Sequence, residues 1–232
     1  MWGKNELIFG QRQVKSMEFS ILTNYFGLYM EGFYGTVLSS VLALIGSFLI
    51  GAVIAVFRIT TVRALRWFGT AYVEFIRNIP LLLVVYIFYY GPSALGFTLD
   101  GFKAGTIGLA VYTSAFIAEA IRAGIMAVPK GQMEASRSSG LSYIQTMLHI
   151  ILPQAIKLVI PPLGNQFINL IKNSSVLTLV AGLDLMYFAD SISTETYRTF
   201  DTYIFVALFY LVLTLPLSYG VRVWERRLQR KY

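Results

Sequence analysis

Apolar residues in this chain fall into runs too long for a strand or a single core helix, and charge is concentrated in the short stretches between them. Residues 33–57 contain no charged side chain. A helix needs about 20 residues to cross the hydrocarbon core of a bilayer, so this stretch predicts a first membrane span. Residues 71–91 predict a second, with a wholly apolar run at 81–90 and Pro80 as a kink. Glu74 and Arg77 lie three apart in its first turns, where they can pair on one helix face. Residues 104–125 predict a third span, closing with Glu119 and Arg122 at the same spacing. A fourth, 152–171, is expected to be interrupted at Pro161-Pro162 and Gly164, and a fifth covers 203–223. The apolar piece 176–188 is too short to cross and is bounded by Asp184 and Asp190, so it reads as a re-entrant or surface helix. Residues 17–34 read as an amphipathic lead-in along the membrane surface or as a polar tail. This gives an all-α integral membrane fold of about five helices, with 1–31 as lead-in and 32–232 as one membrane domain.

Composition agrees. The 232 residues are 56% hydrophobic and 13% charged, and the mean hydropathy is +0.63, too apolar for a soluble domain of this size. The net charge of +7 is gathered beside the apolar runs. That pattern sets orientation in a membrane, and without a basic helix or a stacking platform it speaks against nucleic acid as a partner. Cysteine is absent and His149 is the sole histidine, which excludes disulfides, thiolate metal sites and Cys/His catalysis.

Two connections and the tail are basic: Arg58, Arg63 and Arg66; Arg122, Lys130, Arg137 and Lys157 against Glu134; and Arg222, Arg226, Arg227, Arg230 and Lys231 against Glu225. All three are expected on the cytoplasmic side, and the acidic connection with Asp184, Asp190, Glu195 and Asp201 outside. Five spans satisfy every loop, with the N-terminus outside and the C-terminus cytoplasmic. A sixth span at 176–188 would put the most basic tail on the wrong side.

The polar stretch 126–153 carries a second kind of signal. Ser138, Ser139 and Gly140 break a helix, because serine competes for backbone hydrogen bonds and glycine accepts left-handed dihedrals at a helix end. The expected product is a short helix, a turn and a second helix, with Glu134 near the positive end of the first helix. Such a knuckle reads either as a piece that fits a groove on a partner or as an ordinary solvated loop with a capping glutamate.

A third signal lies in the fourth span, where Gln166, Asn169 and Asn173 recur at spacings of three and four and so share one face. Asn165 borders that face and Lys172 lies on the next. Amides inside a membrane either join helices or line a wet, substrate-facing surface. No carboxylate stands among them. A zwitterion with a neutral or acidic side chain suits amides, which donate and accept, whereas a cationic side chain would leave a buried charge unpaired.

Glu134-Ala135-Ser136, Gly140 and Ile150-x-Leu152-Pro153 together resemble the coupling loop of ATP-binding-cassette importer permeases, Ser136 standing where that pattern has alanine. Three further segments, 72–80, 118–132 and 165–175, are similar to permease subunits for polar amino acids, the histidine, glutamate, glutamine and arginine group. The resemblance implies the type I importer permease architecture in a bacterial cell (inner) membrane. It also implies a second permease subunit, a cytoplasmic ATPase dimer carrying the ATP and magnesium, and an extracytoplasmic amino acid binding protein. Relatives often have glutamate at the position of Gln166 and aspartate at that of Asn173, so the substrate expected here is glutamine, glutamate or aspartate. The chain has no Gly-x-x-x-x-Gly-Lys-[Ser/Thr] loop, so no cofactor is expected on it. Stand-alone channels and ion-driven transporters offer repeated halves or buried carboxylates, which are not evident. An intramembrane hydrolase would need a catalytic constellation within the spans.

The topology is directly testable. Single cysteines placed at Ser193 and Gln229 in this cysteine-free chain will differ toward an impermeant thiol reagent in intact cells, Ser193 labelling and Gln229 not. The opposite pattern contradicts five spans.

Overall fold

Helix α5 (Gly101–Met126) is the hub of the fold, and its sequence explains why. Ala104, Gly105, Gly108, Ala110, Ser114, Ala115 and Ala118 are all buried along it. Small side chains let helix axes approach closely, which is how helices associate in lipid, where apolar surface alone gives no drive. Four helices use that access: α2 (Phe26–Ile59), α3 (Arg63–Arg77), α4 (Leu81–Ala94) and α8 (Leu152–Asn173) all pack on α5. The computed structural model of the chain describes residues 18–229. The remaining elements are the short α1 (Ser20–Asn24), α6 (Lys130–Ser138), α7 (Tyr143–Thr146), a π-turn at Met147–Ile151, a 3-10 segment at Ser174–Val180, α9 (Leu185–Thr196) and α10 (Thr199–Gln229). Among the described residues four helical stretches are long and apolar enough to cross a membrane, or five if a bent pair counts as one span.

That bent pair corrects the expected second span. Residues 71–91 do not form one kinked helix; α3 and α4 meet at 104°. Asn78 ends α3, its side-chain amide donating to the Glu74 carbonyl at 2.7 Å, and Pro80 stands in extended conformation ahead of α4. Proline pushes the residue before it out of the helical region, so a polar cap followed by proline turns the chain instead of merely bending it. The 14 residues of α4 rise about 21 Å. The Glu74–Arg77 ion pair is absent as well: Arg77 lies over the Phe116 ring, 5.4 Å from its centroid.

The lead-in is corrected too. Its residues 1–17 lie outside the described part, but 26–34 continue into the first span as one helix, α2. Tyr29 is fully buried there and stacks on Phe209 at 5.4 Å, so this stretch packs against α10. The fourth span is uninterrupted: α8 runs through Pro161, Pro162 and Gly164. Proline within membrane helices is tolerated where neighbouring helices support the freed backbone, and here α10 presses Val221 onto Gly164.

The expected short apolar piece is the 3-10 segment, a turn, and the start of α9, with Ala181 and Leu183 at positive φ. Its turn plugs into α2. Thr36 Oγ1 accepts from the Leu185 amide at 2.9 Å, and a Cβ on Gly35 would stand 2.0 Å from the Leu183 carbonyl oxygen. Asp184, fully buried in this turn, caps α9 by accepting from the Met186 amide at 3.0 Å. Burial pushes its carboxyl up to about 7. At the opposite end, Glu119 binds both Arg58 of α2 and Arg122 of α5, the latter at 2.6 Å.

Gly35→Ala will destabilise the chain by about 1–3 kcal/mol or more, because the methyl meets backbone that cannot rotate away. Gly27→Ala, with nothing within 4 Å of the added carbon, will be neutral or gain about 0.5–1 kcal/mol of helix preference. Thermal unfolding of the purified variants checks both, and equal behaviour contradicts the notch.

Candidate functional site

The amide face and α5 border an open cavity of about 220 Å³, lined by Tyr112, Thr113 and Phe116 of α5 and by Gln166, Asn169, Leu170 and Asn173 of α8. Three of the four amides expected from the sequence therefore converge. Asn165 is exposed and is not among the lining residues. Lys172 is exposed as well. No carboxylate lines the cavity. Among the described residues, the side chains of Gln166, Asn169 and Asn173 accept and donate no hydrogen bond within the chain. Amides serving as helix glue would be spent on a neighbouring helix. These are free for a solute or for a second subunit.

Sequence reasoning missed the opposite wall. Tyr112, Thr113 and Phe116 sit at the spacing of one helix face, but in a span with no other polar pattern they read as core. Arg77 is not among the lining residues; its guanidinium stacks on the ring of Phe116, which is. A much larger cavity, about 770 Å³, lies between α8 and α10 and is walled almost wholly by carbon. Glu225 is the one charged residue in its lining.

The loop between α5 and α8 forms the expected knuckle. Helix α6 ends in a Schellman motif: the Leu141 amide donates to the Ser136 carbonyl at 3.2 Å, the Gly140 amide to that of Arg137 at 3.1 Å, and Gly140 has φ +89°. Ser142 and Gln145 then cap α7 reciprocally. Below, Val128, Ile151 and Ala155 form a small apolar cluster joined by Met133 and Met147. The knuckle is thus seated on the bundle and presents Glu134 and Ala135 outward, with Gly140 and Pro153 also exposed. Glu134 is the fifth of nine helical residues, not a first-turn residue, so its carboxylate does not serve the helix dipole. Ser136 is buried, and its hydroxyl donates to the Gln132 carbonyl at 2.6 Å. The one departure from the importer pattern is satisfied inside its own helix. His149 hydrogen-bonds through Nδ1 to the Gln145 carbonyl oxygen at 2.9 Å, a local contact.

Residues 47–230 match the family described as the inner membrane component of binding-protein-dependent transport systems. The chain belongs to that family. It is 66% identical over 216 residues to the "Probable glutamine ABC transporter permease protein GlnM" of Bacillus subtilis (strain 168), covering 93% of this chain and 100% of the relative. It is 36% identical over 200 residues to the "L-cystine transport system permease protein TcyB" of the same organism, covering 86% of each. Among solved structures, an amino acid ABC transporter described as crystallised with histidines matches with a TM-score of 0.86 and 38% identity, over 90% of this chain and 98% of that one. This chain is accordingly a multi-pass membrane permease subunit with the type I importer fold.

Proposed function

We propose that this permease conducts glutamine, or an acidic amino acid, through the amide cavity of α5 and α8. The observation that carries the reading is that Gln166, Asn169 and Asn173 border one cavity with their hydrogen-bonding capacity unspent and no carboxylate beside them. The α-groups of a zwitterion, and a side-chain amide or carboxylate, find donors and acceptors among the three amides. The cavity, about 220 Å³, is smaller than the ~300–1,000 Å³ usual for ligand pockets. A second permease subunit, the same chain or a related one, completes the passage in this reading.

The working assembly has this domain, residues 32–232, in a bacterial cell (inner) membrane with the N-terminus outside and the C-terminus cytoplasmic. A binding protein delivers the amino acid from outside. A cytoplasmic ATPase dimer, holding ATP and magnesium, grips the loop 126–153 through Glu134, Ala135 and the turn at Gly140. Support comes from the knuckle's exposed helix and from the basic character of the loops beside it.

Two measurements test the two halves. Gly140→Val adds no clash, since nothing lies within 4 Å of the new carbon, but φ +89° is forbidden ground for a β-branched residue and costs about 1–3 kcal/mol. Membrane insertion will be retained, while ATPase attachment weakens or hydrolysis uncouples. Normal uptake by this variant removes the loop from the mechanism. For selectivity, reconstituted wild type will import labelled glutamine or glutamate ahead of arginine. Asn173→Asp will penalise glutamate more than glutamine, because two carboxylates ~4 Å apart repel by about 4 kcal/mol at an effective dielectric of 20. Arginine as best wild-type substrate, or an unchanged glutamate-to-glutamine ratio in the variant, refutes the amide assignment.

A further inference from the structure

The basic residues beside the first and third spans look like orientation signals in sequence, but the fold gathers four of them around one hollow. Arg58 from the end of α2, Arg66 of α3, Arg122 of α5 and Lys130 at the start of α6 line a cavity of about 410 Å³. Its lining contains no carboxylate. Glu119 serves both Arg58 and Arg122, and Glu74 adds an attraction to Arg122. Four cations against these two carboxylates leave an excess of two positive charges. Arg58 is held firmly, its side chain only 8% exposed. Arg66 and Lys130 are exposed, and no ion pair among the described residues involves them. A cavity with fixed excess cation charge at the edge of a membrane bundle is complementary to a phosphate-bearing anion.

The surroundings specify what carries the phosphate. The rest of the lining includes an aliphatic and thioether wall, from Ile125, Met133, Met147 and Ile151, which a free phosphate cannot use. Outside it, α3 turns away from α4 by 104° and exposes Trp67 at 74% and Phe68 at 52% beside Arg63 and Arg66. Met126, at the rim, is 62% exposed. Exposed tryptophan flanked by arginine is the signature of a helix lying at the headgroup level of a bilayer.

We infer that this cavity is a binding site for the headgroup of an anionic phospholipid, the phosphate held by Arg58, Arg66, Arg122 and Lys130 and the glycerol and upper acyl chain against the methionine wall. Assignment to the cytoplasmic leaflet rests on the orientation proposed above; the binding itself does not.

Native mass spectrometry of the delipidated full chain, titrated with phosphatidylglycerol or phosphatidylcholine, tests this without any transport assay. Phosphatidylglycerol will be retained and phosphatidylcholine will not. A basic residue at an anionic lipid surface contributes roughly fivefold, so Arg66→Gln with Lys130→Gln will weaken retention by about thirtyfold. The control pair Arg222→Gln with Arg226→Gln, which removes equal charge outside the cavity, will change it little. Equal losses in both pairs, or equal binding of phosphatidylcholine, overturns the site. Inorganic phosphate or glycerol phosphate raising the thermal midpoint as much as the lipid shows a soluble-anion site and overturns the lipid. Phosphatidylglycerol binding unchanged while the cavity pair releases the ATPase shows a protein-docking surface instead, and also overturns it.

Discussion

Close approach of backbones along α5 is the constraint on which the rest of this permease depends. In lipid a leucine gains nothing by leaving acyl chains for another helix, so association rests on short distances and spent polar groups. The run of alanine, glycine and serine on α5 supplies those distances to α2, α3, α4 and α8 at once. Tyr72 makes the point for a single contact: its hydroxyl lies 2.7 Å from Ser114 Oγ and donates to the Val111 carbonyl at 3.2 Å, tying α3 to the hub. The same helix that packs so tightly presents Tyr112, Thr113 and Phe116 to the amide cavity. Packing and site share one element, so bulk added to α5 would displace both.

What was legible in the sequence was what local chemistry decides. The break at Gly140 needed only a run of serines and a glycine, and the register of Gln166, Asn169 and Asn173 needed only helical periodicity. The first, third and fifth spans were legible because α2, α5 and α10 each carry an apolar stretch long enough to cross. Less legible was the meaning of each proline. Pro80 and Pro161-Pro162 both invited a kink, yet the first stands at a 104° turn and the second pair sits in an unbroken helix. The difference lies outside proline itself. Asn78 caps the helix before Pro80, while α8 is braced by α10 at Gly164.

The ion pairs failed for a related reason. Spacing of three permits a pair and does not require one. Glu119 and Arg122 pair, because Arg58 arrives from α2 and all three are shielded together. Glu74 and Arg77 do not, because α3 turns its last residue toward α5, where the Phe116 ring receives the guanidinium. Asn165 failed by geometry: one residue before Gln166 it stands about 100° round the helix, away from the cavity.

The unbroken α8 also bears on how a loop could command a cavity. From Pro153 to Asn173 the helix rises about 30 Å without interruption, so its two ends belong to one element. The π-turn at Met147–Ile151 joins it to α7 and hence to the knuckle. A break at Pro161-Pro162 would have absorbed a rotation begun at the knuckle before it reached Gln166. In the proposed coupling, the continuous helix would carry that rotation to Gln166, Asn169 and Asn173 together and turn all three amides relative to Tyr112 and Phe116. The proposed coupling thus has a mechanical path that consists of one helix and needs no relay of side chains.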